Sequence, residues 1–98
     1  MAFKSNQSTS ITTETTIYTC PASTETTVIG LSVATTAASA ATVSVKLNTA
    51  YLVKDAPVPV GGALVVVGGD QKVVLEPTDT ISVTSDQTVD AVISILEI

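Results

Sequence analysis

The sequence predicts an all-β fold, a single antiparallel β-sandwich of jelly-roll-like form with about seven to eight short strands. Two observations carry that reading. Val and Thr recur along the whole chain, and branching at Cβ stiffens χ1 and suits the pleated strand better than the helix. Short runs alternate apolar and polar residues between clusters of Pro, Gly, Asn and Asp, and no stretch has a helical period. At 98 residues the chain fits one domain. Only 3% of residues are aromatic against 45% hydrophobic, so the core has to be built from Val, Ile, Leu and Ala.

Residues 1–13 have no apolar periodicity and read as an extended N-terminal arm, with the sandwich occupying 14–98. The first strand-like run is Thr15–Cys20, stopped by Pro21, and residues 21–25 form a polar loop. In the second, Thr26–Ala34, Ile29, Leu31 and Val33 are expected on one face and Val28, Gly30 and Ser32 on the other. The small residues 35–40 are a loop. Ala41–Asn48 alternates cleanly, with Val43, Val45 and Leu47 facing the core. Asn48-Thr49 turns the chain into Ala50–Lys54. Pro57 and Pro59 cannot donate to a ladder, so the segment they occupy is an edge or an extended connection, ended by Gly61-Gly62.

Ala63–Val67 is wholly apolar, Gly68-Gly69-Asp70-Gln71 is expected to be a hairpin turn, and Lys72–Leu75 to be its return strand. Glu76-Pro77-Thr78-Asp79 is another turn, with Pro placed for type I geometry. Thr80–Ser85 alternates with Ile81 and Val83 inward. The last strand runs from about Thr88 to Ile98. Its core face is Val89, Ala91, Ile93 and Ile95; the opposite face carries Val92, Leu96 and Ile98, interrupted by Asp90 and Ser94.

A two-layer sandwich needs one apolar face per strand, and here Ala63–Val67 and the last strand each offer more. The surplus is either covered by the domain's own loops or buried against another subunit, and the second is the favoured reading because monomers seldom expose large apolar patches. Val92, Leu96 and Ile98 are therefore the candidate interface residues.

The residue types present exclude much chemistry. The chain has no His and no Arg and a formal net charge of −5. Its four lysines, Lys4, Lys46, Lys54 and Lys72, are scattered, so no cluster is present to neutralise phosphates and nucleic acid is not an expected partner. Without His, the lone Cys20 lacks the usual base for nucleophilic catalysis, and it reads as a small buried apolar residue. One cysteine forms no internal disulfide, which points to assembly in a reducing compartment. The carboxylates fall mostly in or beside turns, where Asp bonds the local backbone. No Asp-x-Asp-x-Asp-Gly loop marks calcium, and neither Gly-Gly pair ends in the Lys-Ser/Thr of a phosphate loop. Tyr51 is the single aromatic placed to stack on a sugar. The polar N-terminal stretch has no signal-peptide core, no apolar run is long enough to span a membrane, and Asn6-Gln7-Ser8 is a chance match to the glycosylation pattern. The expectation is a protein that is not an enzyme, needs no cofactor or metal, and works by binding surfaces.

Several elements carry a likeness: the strand ending in Cys20-Pro21, the Val-Pro-Val-Gly-Gly linker at 58–62, the Val-Val-Leu-Glu-Pro turn at 73–77 with Asp79, and the closing apolar strand. Over nearly all of residues 15–98 the chain resembles small virion proteins of tailed bacteriophages, notably phages of cyanobacteria. These are fold-building elements and bring over no functional residue. The resemblance implies a β-sandwich on the virion, assembled in the host cytoplasm. The leading expectation is a capsid decoration (cement) protein, a homotrimer bound to the major capsid protein on the outer head surface. A neck, tail or fibre module of the virion is the second reading, and a cellular sugar- or calcium-binding sandwich the third.

Overall fold

The computed structural model describes residues 2–68 and 72–98. Among them the chain is all-β, with strands β1 (Ala2–Ile11), β2 (Thr15–Thr19), β3 (Thr26–Thr35), β4 (Ala41–Leu47), β5 (Ala50–Val58), β6 (Ala63–Val67), β7 (Val73–Leu75), β8 (Thr80–Ser85) and β9 (Val89–Glu97). The first sheet has the order β1-β9-β3-β6, with β7 also on β3; the second has the order β2-β8-β4-β5. All pairings are antiparallel.

The described strands number nine where about seven to eight are expected from the pattern of turns. The added strand is β1, over residues expected as an arm; β6 and β7 fall where strands are expected but pair differently. β6 pairs with Leu31–Ala34 of β3 and β7 with Thr26–Val28, so both run the same way along one neighbour as two pieces of one interrupted strand. They do not form a hairpin with each other. Of the expected turn, Gly69, Asp70 and Gln71 lie outside the described residues. Counting β6 and β7 as one gives two four-stranded sheets in the order of an eight-stranded jelly roll.

Residues 1–13 are expected as an arm. In the structure Ala2–Ile11 is extended and is the terminal strand of the first sheet, paired with β9. Its sequence lacks apolar alternation because an edge strand shows most of its side chains to water; Ile11 alone is buried. The backbone ladder holds it, aided by Asn6 Nδ2 donating to the Ile17 carbonyl and Ser10 N–H donating to Asp90 Oδ1.

The core lies between the sheets. Val28, Leu31 and Val33 of β3 and Ile93 and Ile95 of β9 face Val43 and Val45 of β4 and Ile81 and Val83 of β8, all buried. The alternation of β4, β8 and β9 holds as read. That of β3 does not: the register shifts between Val28 and Gly30, so Val28 joins Leu31 and Val33 in the core while Ile29 is half-buried. A bulge adds one residue and reverses the parity of everything before it.

Loops meet at both ends of the sandwich. At one end, Cys20 N–H donates to the Asp79 carbonyl and Asn48 N–H to the Thr80 carbonyl. Asp79 bonds Asn48 Nδ2 at 2.9 Å and the Glu76 N–H at 3.0 Å, and these donors, Asn48 foremost, hold its carboxyl below the usual 3.8. The turn they close has Asp79 N–H on the Glu76 carbonyl and Thr78 at φ 72°, the left-handed third residue of a type II turn rather than the expected type I.

Candidate functional site

Strand register decides which side chains share a face, since partners across an antiparallel pair project to the same side. On the outside of the first sheet one row reads Phe3, Leu96, Thr27, Val74 across β1, β9, β3 and β7. The next reads Ser5, Ser94, Gly30. A third reads Gln7, Val92, Ser32, Val65 across β1, β9, β3 and β6. Two rows rich in apolar side chains thus flank a trough of small residues. A Cβ placed on Gly30 would lie 3.9 Å from Ser94 Cβ, in ordinary contact, so no clash demands glycine there; its effect is to leave the trough open.

Within the paired segments the charged residue on this face is Asp90, at the rim in register with Ala34 and Ala63, and its carboxylate is occupied by the Ser10 N–H. The side chains are open to solvent: Phe3 is 74% exposed, Val65 68%, Val74 61% and Val92 45%. Among the described residues no loop covers them. Of the three residues singled out from sequence, Val92 lies mid-face between Gln7 and Ser32, and Leu96 is half-buried between Phe3 and Thr27. Ile98 lies exposed beyond the end of β9, its backbone tied to Glu25 in both directions. Phe3, Val65 and Val74 complete the face. Val65 falls in the run already noted as apolar on both sides. Phe3 and Val74 carry no sequence signal, because their place on the face comes from pairing with distant strands.

The outside of the second sheet is different. Thr16, Ser82, Lys46 and Tyr51 form one row across β2, β8, β4 and β5, and Ser44 pairs with Thr84 beside it. Lys46 is ion-paired with Glu14 at 3.2 Å, and the Lys46 and Lys54 ammoniums lie 5.7 and 5.3 Å from the Tyr51 ring centre. Among the described residues the sandwich therefore has one outer face with exposed apolar side chains whose paired segments carry charge only at the Asp90 rim, and one that is hydroxyl-rich and charged.

A polar cluster closes the core side of the first sheet at one end. Tyr18 Oη donates to Glu97 Oε2 at 2.6 Å and lies 2.9 Å from Thr26 Oγ1, while Lys4 Nζ sits 2.8 Å from Glu97 Oε1. Cys20 Sγ is 3.2 Å from both Thr26 Oγ1 and the Thr24 carbonyl, buried among these groups. The cluster joins β1, β2, β3 and β9. Lys4, and then the Tyr18 hydroxyl, hold the Glu97 carboxyl below its usual 4.5. Burial, and then the carboxylate it donates to, push Tyr18 up to about 12 from 10.0. A raised tyrosine pKa contributes stability that is complete below pH 10 and is lost as pH climbs towards 12; the lowered Glu97 contributes stability that is lost as pH falls below 4.5. Tyr18→Phe removes a bond to a charged acceptor from a buried site. It is expected to cost about 1–3 kcal/mol at pH 7 and to abolish the alkaline limb between pH 10 and 12. Urea titrations across that range measure both.

No group of three or more His, Cys, Asp or Glu is gathered to hold a metal among the described residues, no cleft opens on their surface, and no helix is long and apolar enough to cross a membrane. Comparison with family models, curated proteins and solved structures returns no match to the chain.

Proposed function

We propose that this chain is a structural protein of a tailed-phage virion, a capsid decoration protein that lays the outer face of its first sheet against the protein shell. The observation that carries the reading is that face: four strands wide, exposed, and without charge in its described paired segments apart from Asp90 at the rim, on a chain of net charge −5. A surface of that kind favours contact with protein over contact with an ionic ligand. The likeness of residues 15–98 to small phage virion proteins supports the same conclusion. The mechanism is mass action: a protein that binds only the assembled shell, across neighbouring subunits, shifts the equilibrium towards the assembled state. The hydroxyl-rich second sheet then faces water and keeps the particle soluble.

The reading is tested on particles of the phage that encodes the chain. On a density gradient the chain should band with filled heads, and heads stripped of it should lose heat resistance and regain it when purified protein is added back. Its absence from the particles, identified by peptide mass, would remove the proposal.

A further inference from the structure

Four strand lines border the two sheets: β1 and the β6–β7 line in the first, β2 and β5 in the second. A long, regular edge recruits other strands, and folds commonly spoil their edges to prevent it. Three of the four here are spoiled. β5 carries Pro57, two register shifts against β4, and Asp55 at φ 53°. The β6–β7 line is interrupted after Val67 and has a shift of its own on β3. β2 is five residues long, has a shift at its centre, and its Ile17 carbonyl is taken by Asn6.

β1 is different. From Ala2 to Ser8 it pairs with β9 in unbroken register, with the shift coming only between Ser8 and Ile11. It contains neither Pro nor Gly. An inward-facing charge can also guard an edge, and Lys4 is in register with the core residue Ile95. That charge is compensated by Glu97 of the same chain at 2.8 Å, so it does not stand alone at the border.

We propose that β1 is a self-pairing edge: β1 of one copy pairs antiparallel with β1 of a second copy about a two-fold axis at Ser5, joining the two first sheets into one. A two-fold contact requires each copy to use the same patch, and an antiparallel strand pair satisfies that. Ser5 is the midpoint of the regular segment Ala2–Ser8. With the axis there, Ser5 meets Ser5 of the partner subunit, Phe3 meets Gln7 of the partner subunit, and Lys4 meets Asn6 of the partner subunit. No like charges oppose one another, although each copy carries a net charge of −5. The exposed Phe3 gains a cross-strand neighbour. Because Phe3, Ser5 and Gln7 all lie on the outer face, the joined sheet carries that face across both copies, from four strands to eight. The inference goes beyond the virion reading and stands on β1 alone.

Cysteine cross-linking of the full chain tests it, with the buried Cys20 as the silent background. Directly opposed residues in an antiparallel pair have Cα atoms about 4.5–5.5 Å apart, within disulfide range. Under mild oxidation most of a Ser5→Cys sample should become covalent dimer. Phe3→Cys and Gln7→Cys should each stay largely monomeric alone and cross-link when mixed. Ser5→Lys sets two like charges across the axis and should sediment as a folded monomer at concentrations where the parent dimerises. A parent that remains monomeric, with no Ser5→Cys dimer, overturns the proposal; so does cross-linking through Val92→Cys in place of Ser5→Cys. Particle binding is read separately, so the virion proposal and this one fail independently.

Discussion

On the capsid-decoration proposal, Val92→Asp should abolish binding of the chain to the particle while leaving its fold intact. Val92 stands mid-face on the central strand β9, flanked by Gln7 and Ser32, and is 45% exposed, so the free protein accommodates a carboxylate with its charge in water. In a desolvated protein contact the same carboxylate meets apolar and small side chains and no cation. An unpaired buried charge costs on the order of 3–5 kcal/mol. That corresponds to a loss of roughly a hundred- to several-thousand-fold in affinity. Val65→Asp, at the other end of the same row, should behave alike. Co-sedimentation with stripped heads measures the loss, and an unchanged thermal transition shows that it is not unfolding. Undiminished binding by both variants would remove this face from the contact.

Ile93→Ala, one residue along, should do the reverse. Ile93 is fully buried, opposite Leu31 on β3, and lies in the layer shared with β4 and β8. Truncation leaves a cavity that the rigid sheets close only in part, and such changes cost about 2–5 kcal/mol. For a domain of ordinary stability, about 5–15 kcal/mol, that is a large share. The urea midpoint should fall with little change in slope. Whatever remains folded should bind particles normally, because the outer face is untouched. Neighbouring residues with opposite phenotypes are the mark of a strand that serves the core on one side and a contact on the other.

What the sequence makes legible follows from where period-two alternation survives. β4 and β9 run without a bulge across the core, and their inward and outward sets can be read directly, down to Val92 and Leu96. In β3 the bulge at Ile29 is set by its fit to β9, so local spacing assigns Ile29 to the wrong set. Gly68-Gly69-Asp70-Gln71 has hairpin chemistry, yet β6 and β7 both find their partner in β3, and that choice is made by the whole sheet. β1 is the largest element to escape the sequence pattern. It is held by backbone pairing and a few polar side chains, which leave no hydrophobic signature. With it went one end of the first apolar row, since Phe3 belongs to the face only once β1 is laid beside β9.

A cryo-EM reconstruction of the intact phage head tests most directly whether the proposed outer face of the first sheet meets the shell. The predicted result is a jelly roll on the outer surface of the head with Phe3, Val65, Val74, Val92 and Leu96 turned onto the capsid and the Lys46–Tyr51–Lys54 cluster turned to solvent. A jelly roll seated on its second sheet, or a head surface without this chain, would contradict it.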